Sequence, residues 1–407
     1  MRTMSLDEAR RYWSAHQGLT DQDVAPGAVP GGWTRAIGGR GPYLAMLARG
    51  CSPTSHIEEA LRDVQMAVSP GVRGCIWLME TSDVTLATVV GNAKNAARLA
   101  RDMEKCGVTD EELNTVETAV VQALGAGPAS TRALRDRLPT GCVRSLGAVG
   151  KKIGQSSTLP PALRRLEVRG VIRRVPEAFS LVYERYVWTL APEGWLREEE
   201  VPEDPVACLA QLADRYLRWA APARLADFIA WAACGKRDAA RAFEHIGAVA
   251  CTVAGEPGWF AHADQLAEPT PEPTHAIRLL PTLDNLLTLR GDVRGLLDEA
   301  HYDRPMPALR GGDQPASATR WPLVRAIVCD GAWLGVWGWD AAASEMVLAP
   351  FSPLGAEDTR RLEEAAHQVH TVITTAWDGV AKTLSIDGEK RQTQRMAWLR
   401  QQREAWR

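Results

Sequence analysis

The stretch between residues 110 and 190 constrains the fold most, because three helical segments are followed there by two strand-like ones with no length left for a crossover. Residues 110–124 place Leu113, Val116, Val120 and Leu124 at spacings of three and four, the period of an amphipathic helix. Pro128 and Ser130 open a second, shorter helix over 131–138. After a polar loop, "GQSSTLPPALRRLEVRG" predicts a third. Thr158 can cap it, and Pro160 and Pro161 are tolerated because they fall in its first turn. Gly170 ends it, as a residue free to turn left-handed does. Leu159, Leu163 and Leu166 share one face, and Arg165 and Arg169 lie four apart on another. "VIRRV" and "LVYERYVWTL" then read as two strands joined through residues 176–180. Three helices and a hairpin are the layout of a winged helix-turn-helix.

The same plan recurs after the acidic, proline-bearing linker "WLREEEVPEDP". Helices are expected through 206–219, 223–232 and 236–245, with "AVACTVAG" and "GWFAHA" as a second wing. Ahead of both units, residues 5–17 read as a helix with Ser5 and Glu8 as a capping box. A Pro- and Gly-rich loop at 23–32 follows, then short helices at 42–49 and 55–64, a strand at 72–79 and a helix at 82–104. Residues 269–273 form another linker. "LVRAIVCDGAWLGVWGW" is a hairpin signal turning at Asp330-Gly331. Residues 357–376 are helical, and so is the basic tail 388–407, which carries a net +4. The expected class is α+β: tandem winged helix-turn-helix domains with a C-terminal β unit and terminal helices. The expected units are 1–107, 108–195, 205–268 and 275–407.

Composition narrows the function classes. At 407 residues the chain is too long for one core. A net charge of −3 excludes nothing about nucleic acid, because a local basic stripe matters more than the total. Eight cysteines without a C-x-x-C pair argue against a zinc or disulfide framework and for reduced thiols in a cytoplasm. The opening "MRTMSLDEARRYW" lacks an apolar secretion segment, and no run of about 18 apolar residues offers a membrane span. Fifteen tryptophans suit core packing first and an aromatic ligand cavity second.

Residues 144–174 carry a net +7. In a winged helix the third helix and the wing meet the DNA backbone, where basic side chains release counterions. Lys151, Lys152, Arg164, Arg165, Arg169 and Arg173 are therefore the expected DNA contacts, with Ser156 and Ser157 adding phosphate hydrogen bonds. The plain alternative is a solvated helix face. The glycine-rich "RAIGGRGPYLAMLARG" lacks the last glycine of a dinucleotide loop and the Lys-Ser/Thr of a P-loop, so no nucleotide cofactor is expected. His367 and His370 sit three apart on a helix and read as solvent-facing, not as a metal pair.

Four segments in order resemble the AlkZ-type DNA glycosylases, tandem winged-helix proteins that excise bulky alkylated bases and unhook interstrand crosslinks. "VRGCIWLMETSDVTLA" is similar to the family's R-T-W-L-M-R-G-T-L-H-L-V segment, and "LLPTLDNLLTLRGD" to its L-L-P-x-(F/L)-D-x-L-L-L-x-R stretch. "IVCDGAWLGVWGWD" and "LAPFSPLGAEDTRRLEEAAHQV" resemble its C-terminal hairpin, turn and helix. The resemblance implies a Gln-x-Gln or Gln-x-Asp pair, followed by a proline, that handles the water of base excision. With Pro42 as anchor, Gly38 and Arg40 stand in those places. Glu80 stands near the family's arginine and Val84 near its histidine. A glycine has no side chain to orient water, and an arginine cannot accept a proton.

Three readings follow. One is a DNA-binding member of this scaffold without ordinary base excision, with duplex DNA as partner. Another is an enzyme acting on a bulky aromatic or polyketide-like natural product in a repurposed lesion pocket. The third is a glycosylase with a changed catalytic pair. In either enzymatic reading the candidate groups are Arg40, as a cation facing an oxygen, and Glu80 and Asp83, as carboxylates for acid–base work.

Overall fold

A computed structural model describes residues 2–20, 24–25, 27–37, 40–308, 312–377 and 388–404. It is a mixed α+β chain in which one order of elements occurs three times. The first passage is α1 (Leu6–His16), β1 (Thr34–Arg35), α2 (Gly41–Ala48), α3 (Pro53–Arg62), β2 (Met66–Pro70) and β3 (Ile76–Glu80). A long helix, α4 (Val84–Lys105), leads out of it. The second passage is α5 (Asp110–Gly125), α6 (Thr131–Arg137), α7 (Gly147–Lys152), α8 (Leu159–Val168), β4 (Ile172–Pro176) and β5 (Tyr186–Leu190). The third is α9 (Pro205–Ala220), β6 (Ala223–Arg224), α10 (Leu225–Ala232), α11 (Lys236–His245), β7 (Val249–Val253) and β8 (Glu256–Ala261).

In all three, a short extended piece after the first helix pairs with the second strand of the hairpin. Arg35 pairs with Trp77, Ala129 bridges Trp188, and Arg224 pairs with Trp259. A tryptophan thus stands at the same place in every hairpin. The C-terminal unit is an antiparallel sheet in the order β9 (Ile277–Leu280), β10 (Arg325–Cys329), β11 (Ala332–Asp340), β12 (Glu345–Pro350). Asp330 and Gly331 turn β10 into β11 with φ of 44° and 80°, the left-handed pair that an Asp-Gly hairpin turn requires. α12 (Ala356–Ala376) and α13 (Glu389–Glu404) pack on this sheet.

The cores show how the units depend on one another. Leu113, Val116, Val120, Leu134, Leu163, Leu166, Ile172 and Trp188 form a core that closes within the second passage and the end of α4. The first and third passages share theirs: Trp33 and Trp77 pack with Tyr216, Phe228 and Trp231. Trp33 lies 5.8 Å from Trp231 and 5.7 Å from Trp219 between ring centroids. Trp33, Trp77 and Trp231 fill space in this core. α4 reaches the β2–β3 turn closely enough that a Cβ on Gly91 would stand 2.3 Å from the Gly71 carbonyl oxygen, so only glycine fits.

Two local expectations are corrected. Residues 72–79 do not form one strand: Val72–Gly74 is the hairpin turn, β3 follows it, and its partner β2 lies at Met66–Pro70. The polar loop before α8 holds the short helix α7. Among the described residues no helix is long and apolar enough to cross a membrane.

Candidate nucleic-acid interface and pocket-side residues

The basic stretch folds onto acids that precede it in the chain. Arg144 Nε donates to Glu112 Oε1 at 2.7 Å. Arg165 reaches Asp110 at 2.8 Å and Glu117 at 2.8 Å, and Arg169 bonds the other oxygen of Glu117. Arg174 forms a two-pronged pair with Glu167, both bonds at 2.6 Å. Burial alone would lower the Arg174 pKa, but the Glu167 charge outweighs it and the net shift is upward. Helix α5 therefore supplies the carboxylates for α8.

The remaining two arginines have no acid partner among the described residues. Arg164 Nη2 donates to the carbonyl of Gly74, at the tip of the β2–β3 hairpin, at 3.2 Å. Arg173 lies over the Trp195 ring at 4.9 Å. Burial holds both guanidiniums below their ordinary range. The arginine face of α8 looks into a cleft of about 420 Å³ whose opposite wall is Asn95, Leu99 and Met103 of α4. The hairpin of the second passage is also occupied: Tyr43 on α2 accepts from the Leu181 amide at 2.9 Å, and Arg62 lies over Phe179 at 5.4 Å.

Lys151 and Lys152 on α7 and Ser156 in the following turn are exposed. Ser157 is buried and accepts from Arg135 Nη2 at 3.3 Å. Arg135, Asp136, Ser145, Ser156 and Ser157 together line a shallow polar hollow of about 480 Å³. Sequence reasoning missed Arg135. Its signal was a pair of basic residues, Arg132 and Arg135, three apart on α6, both of which are exposed.

The pocket-side residues are held by different partners. Gly38 lies outside the described residues. Arg40 stands at the N-cap of α2, is 7% exposed, and lies 5.9 Å from the Tyr183 ring and 6.0 Å from the Trp377 ring. A cation there opposes the helix dipole, and the two aromatic faces are among the groups that offset this. Tyr43, one turn on, also donates to Glu58 at 3.2 Å, and burial pushes its hydroxyl pKa up. Glu80 Oε1 accepts from the Val29 amide at 3.3 Å. Asp83 accepts from Trp33 Nε1 at 2.7 Å and pairs with Arg215 of α9 at 2.5 Å, which ties the first passage to the third. Val84 is buried at the start of α4.

This architecture is similar to that of the Streptomyces sahachiroi DNA glycosylase AlkZ. The two align with a TM-score of 0.65 over 91% of this chain and 96% of that one, at 18% sequence identity. The family model for "DNA glycosylase AlkZ-like" matches residues 34–372, and the chain belongs to that family. No curated protein matches it.

Proposed function

We propose that this chain is a duplex-DNA-binding protein on the AlkZ-like scaffold that does not perform ordinary base excision. The three repeated passages and the sheet are read as tandem winged helices with a C-terminal β unit, in units of 1–107, 108–195, 205–268 and 275–407. The observation that carries the reading is the employment of the pocket-side groups. Asp83 holds an indole and an arginine, Glu80 holds a backbone amide, and Arg40 is stacked among aromatics. An arginine cannot take a proton from water, and Asp83 already holds two donors that tie the first passage to the third.

DNA contact is assigned to the exposed polar surface of the second passage: Lys151, Lys152 and Ser156, with Arg135 beside them. Arg164, Arg165, Arg169 and Arg173 are assigned to holding the units together.

The test has two arms. Gel-shift titration of a mixed-sequence duplex is expected to give salt-dependent binding. Incubation with alkylated duplex is expected to release no base above the uncatalysed background. Absence of any shift at low salt removes the DNA reading, and base release removes the non-excising one.

A further inference from the structure

We propose that Arg35, Arg73 and Trp321 form a binding site for a phosphate oxyanion at the first hairpin. Arg35 lies 4.9 Å above the Trp77 ring. Arg73 lies 6.0 Å from the same ring and 4.5 Å from Trp321. The exposed Arg320 approaches Trp321 from its own side at 5.9 Å. Two indoles thus gather three guanidiniums. Among the described residues none of the three has a carboxylate within ion-pair distance. Arg35 Nε, Arg73 Nε and Trp321 Nε1 are all shielded from water and without an acceptor.

The other two passages provide an internal control. Arg224 lies over Trp259 at 4.4 Å, in the register that Arg35 has with Trp77. There the guanidinium is met by Glu256 and, at 3.9 Å, by Asp292. In the second passage Arg174 lies over Trp188 at 5.0 Å and is neutralised by Glu167. The arginine over the hairpin tryptophan is closed by an acid in two passages and left open in the first.

An unmet buried donor costs about 1–3 kcal/mol, and neighbouring like charges add to it. Burial first, and the charge of Arg35 after it, hold the Arg73 guanidinium below its ordinary range. Arg73 also sits at φ 61°, a left-handed conformation that a side chain rarely adopts. An oxyanion at the half-exposed outer edges of the Arg35 and Arg73 guanidiniums would offset the charge. Forked guanidiniums beside an indole donor suit a tetrahedral phosphate better than a neutral ligand. The site rests on the DNA-binding reading only for the source of that phosphate, taken as the duplex backbone.

The experiment follows tryptophan fluorescence of the full chain during titration with a mixed-sequence duplex and, separately, with inorganic pyrophosphate. The variants are Arg35→Gln with Arg73→Gln, and Trp321→Phe. The double variant is expected to lose about tenfold or more in duplex affinity, and its log–log salt slope is expected to fall by about 0.9, the share of one phosphate. Trp321→Phe is expected to weaken binding with little change in slope, because it loosens the ring contact that holds Arg73 but removes no charge. Duplex binding that keeps its affinity and slope in the double variant overturns the site while the DNA reading stands. Pyrophosphate binding that the double variant loses, without duplex binding by the parent, sustains the site and ends the DNA reading. A parent chain that binds neither probe overturns both. Should the double variant not fold, unchanged duplex and pyrophosphate affinities in Trp321→Phe overturn the site.

Discussion

The first and second passages share an order of elements but close differently. The second completes its own core and matches Arg165, Arg169 and Arg174 with acids from α5 and α8. The first shares its core with the third and with the C-terminal sheet, and leaves the guanidiniums around its hairpin tryptophan without carboxylates. A charge count along the chain therefore says little about where a field emerges. Asp110, Glu112 and Glu117 offset three of the seven net positive charges of the basic stretch on folding, whereas the first hairpin, which carries a carboxylate in its own sequence, leaves its guanidiniums uncompensated.

The largest expected effect tests the closure of the second passage. Glu167 is buried, and Glu167→Gln would leave Arg174 desolvated against a neutral amide. Breaking a buried pair from one side costs about 3 kcal/mol or more. Chemical denaturation should show that loss. A fall below about 1 kcal/mol would mean that water reaches Arg174 and that the second passage is no better closed than the first. Glu167→Leu with Arg174→Met should recover much of the stability, since neither charge is then left alone.

Asp83→Asn asks whether the pocket-side carboxylate is structural. The change weakens the bond to Trp33 and removes the ion pair with Arg215, at a cost of about 1–2 kcal/mol. Thermal melting should register it, and duplex affinity at temperatures where the variant is folded should not change. Loss of a catalytic rate with unaltered melting would reverse the assignment.

A smaller effect is expected at α7. Lys151→Gln and Lys152→Gln should leave melting within about 0.5 kcal/mol, because both side chains are exposed. Each should lower the salt slope of duplex binding by about 0.9 if it contacts one phosphate. Arg165→Gln should behave oppositely, with reduced stability and an unaltered slope, since its charge is spent on Asp110 and Glu117. Equal slope changes for Arg165 and Lys151 would restore α8 to the DNA face.

Much of the fold was legible because it is written in short-range pattern. The leucine spacing of α5 and α8, the prolines opening α8 and the Asp-Gly turn each report local geometry. Strand β2 was not legible: all five of its residues are buried, so no polar alternation marks it. Helix α7, with two glycines in six residues, lacks the propensity that identifies a helix. The site was legible in its residue types and opaque in their partners. Arg164 reaches a carbonyl 90 residues away, and Asp83 reaches an arginine 132 residues away. No window on the sequence joins such positions. The acids for Arg165 and Arg169 lay closer, in the helix just before the basic stretch. Counting from residue 110 instead of 144 would have brought Asp110, Glu112 and Glu117 into view.

The finest discrimination comes from the two arginines that share one register. Arg224→Gln removes the pairing with Glu256 and Asp292 and the stacking on Trp259, so a loss of about 1 kcal/mol is expected even though the pair is partly exposed. Arg35→Gln removes a comparable stacking contact with Trp77 but also relieves Arg73 of a like charge. These two terms oppose each other, and the net change is expected within about 0.5 kcal/mol of zero. Unfolding of the two variants side by side, without nucleic acid, checks the contrast. If Arg35→Gln costs as much as Arg224→Gln, the first hairpin is stabilised by its arginine alone and has no vacancy for an anion. If it costs nothing, the Arg35 charge is not offset within the fold, as the proposed anion site requires.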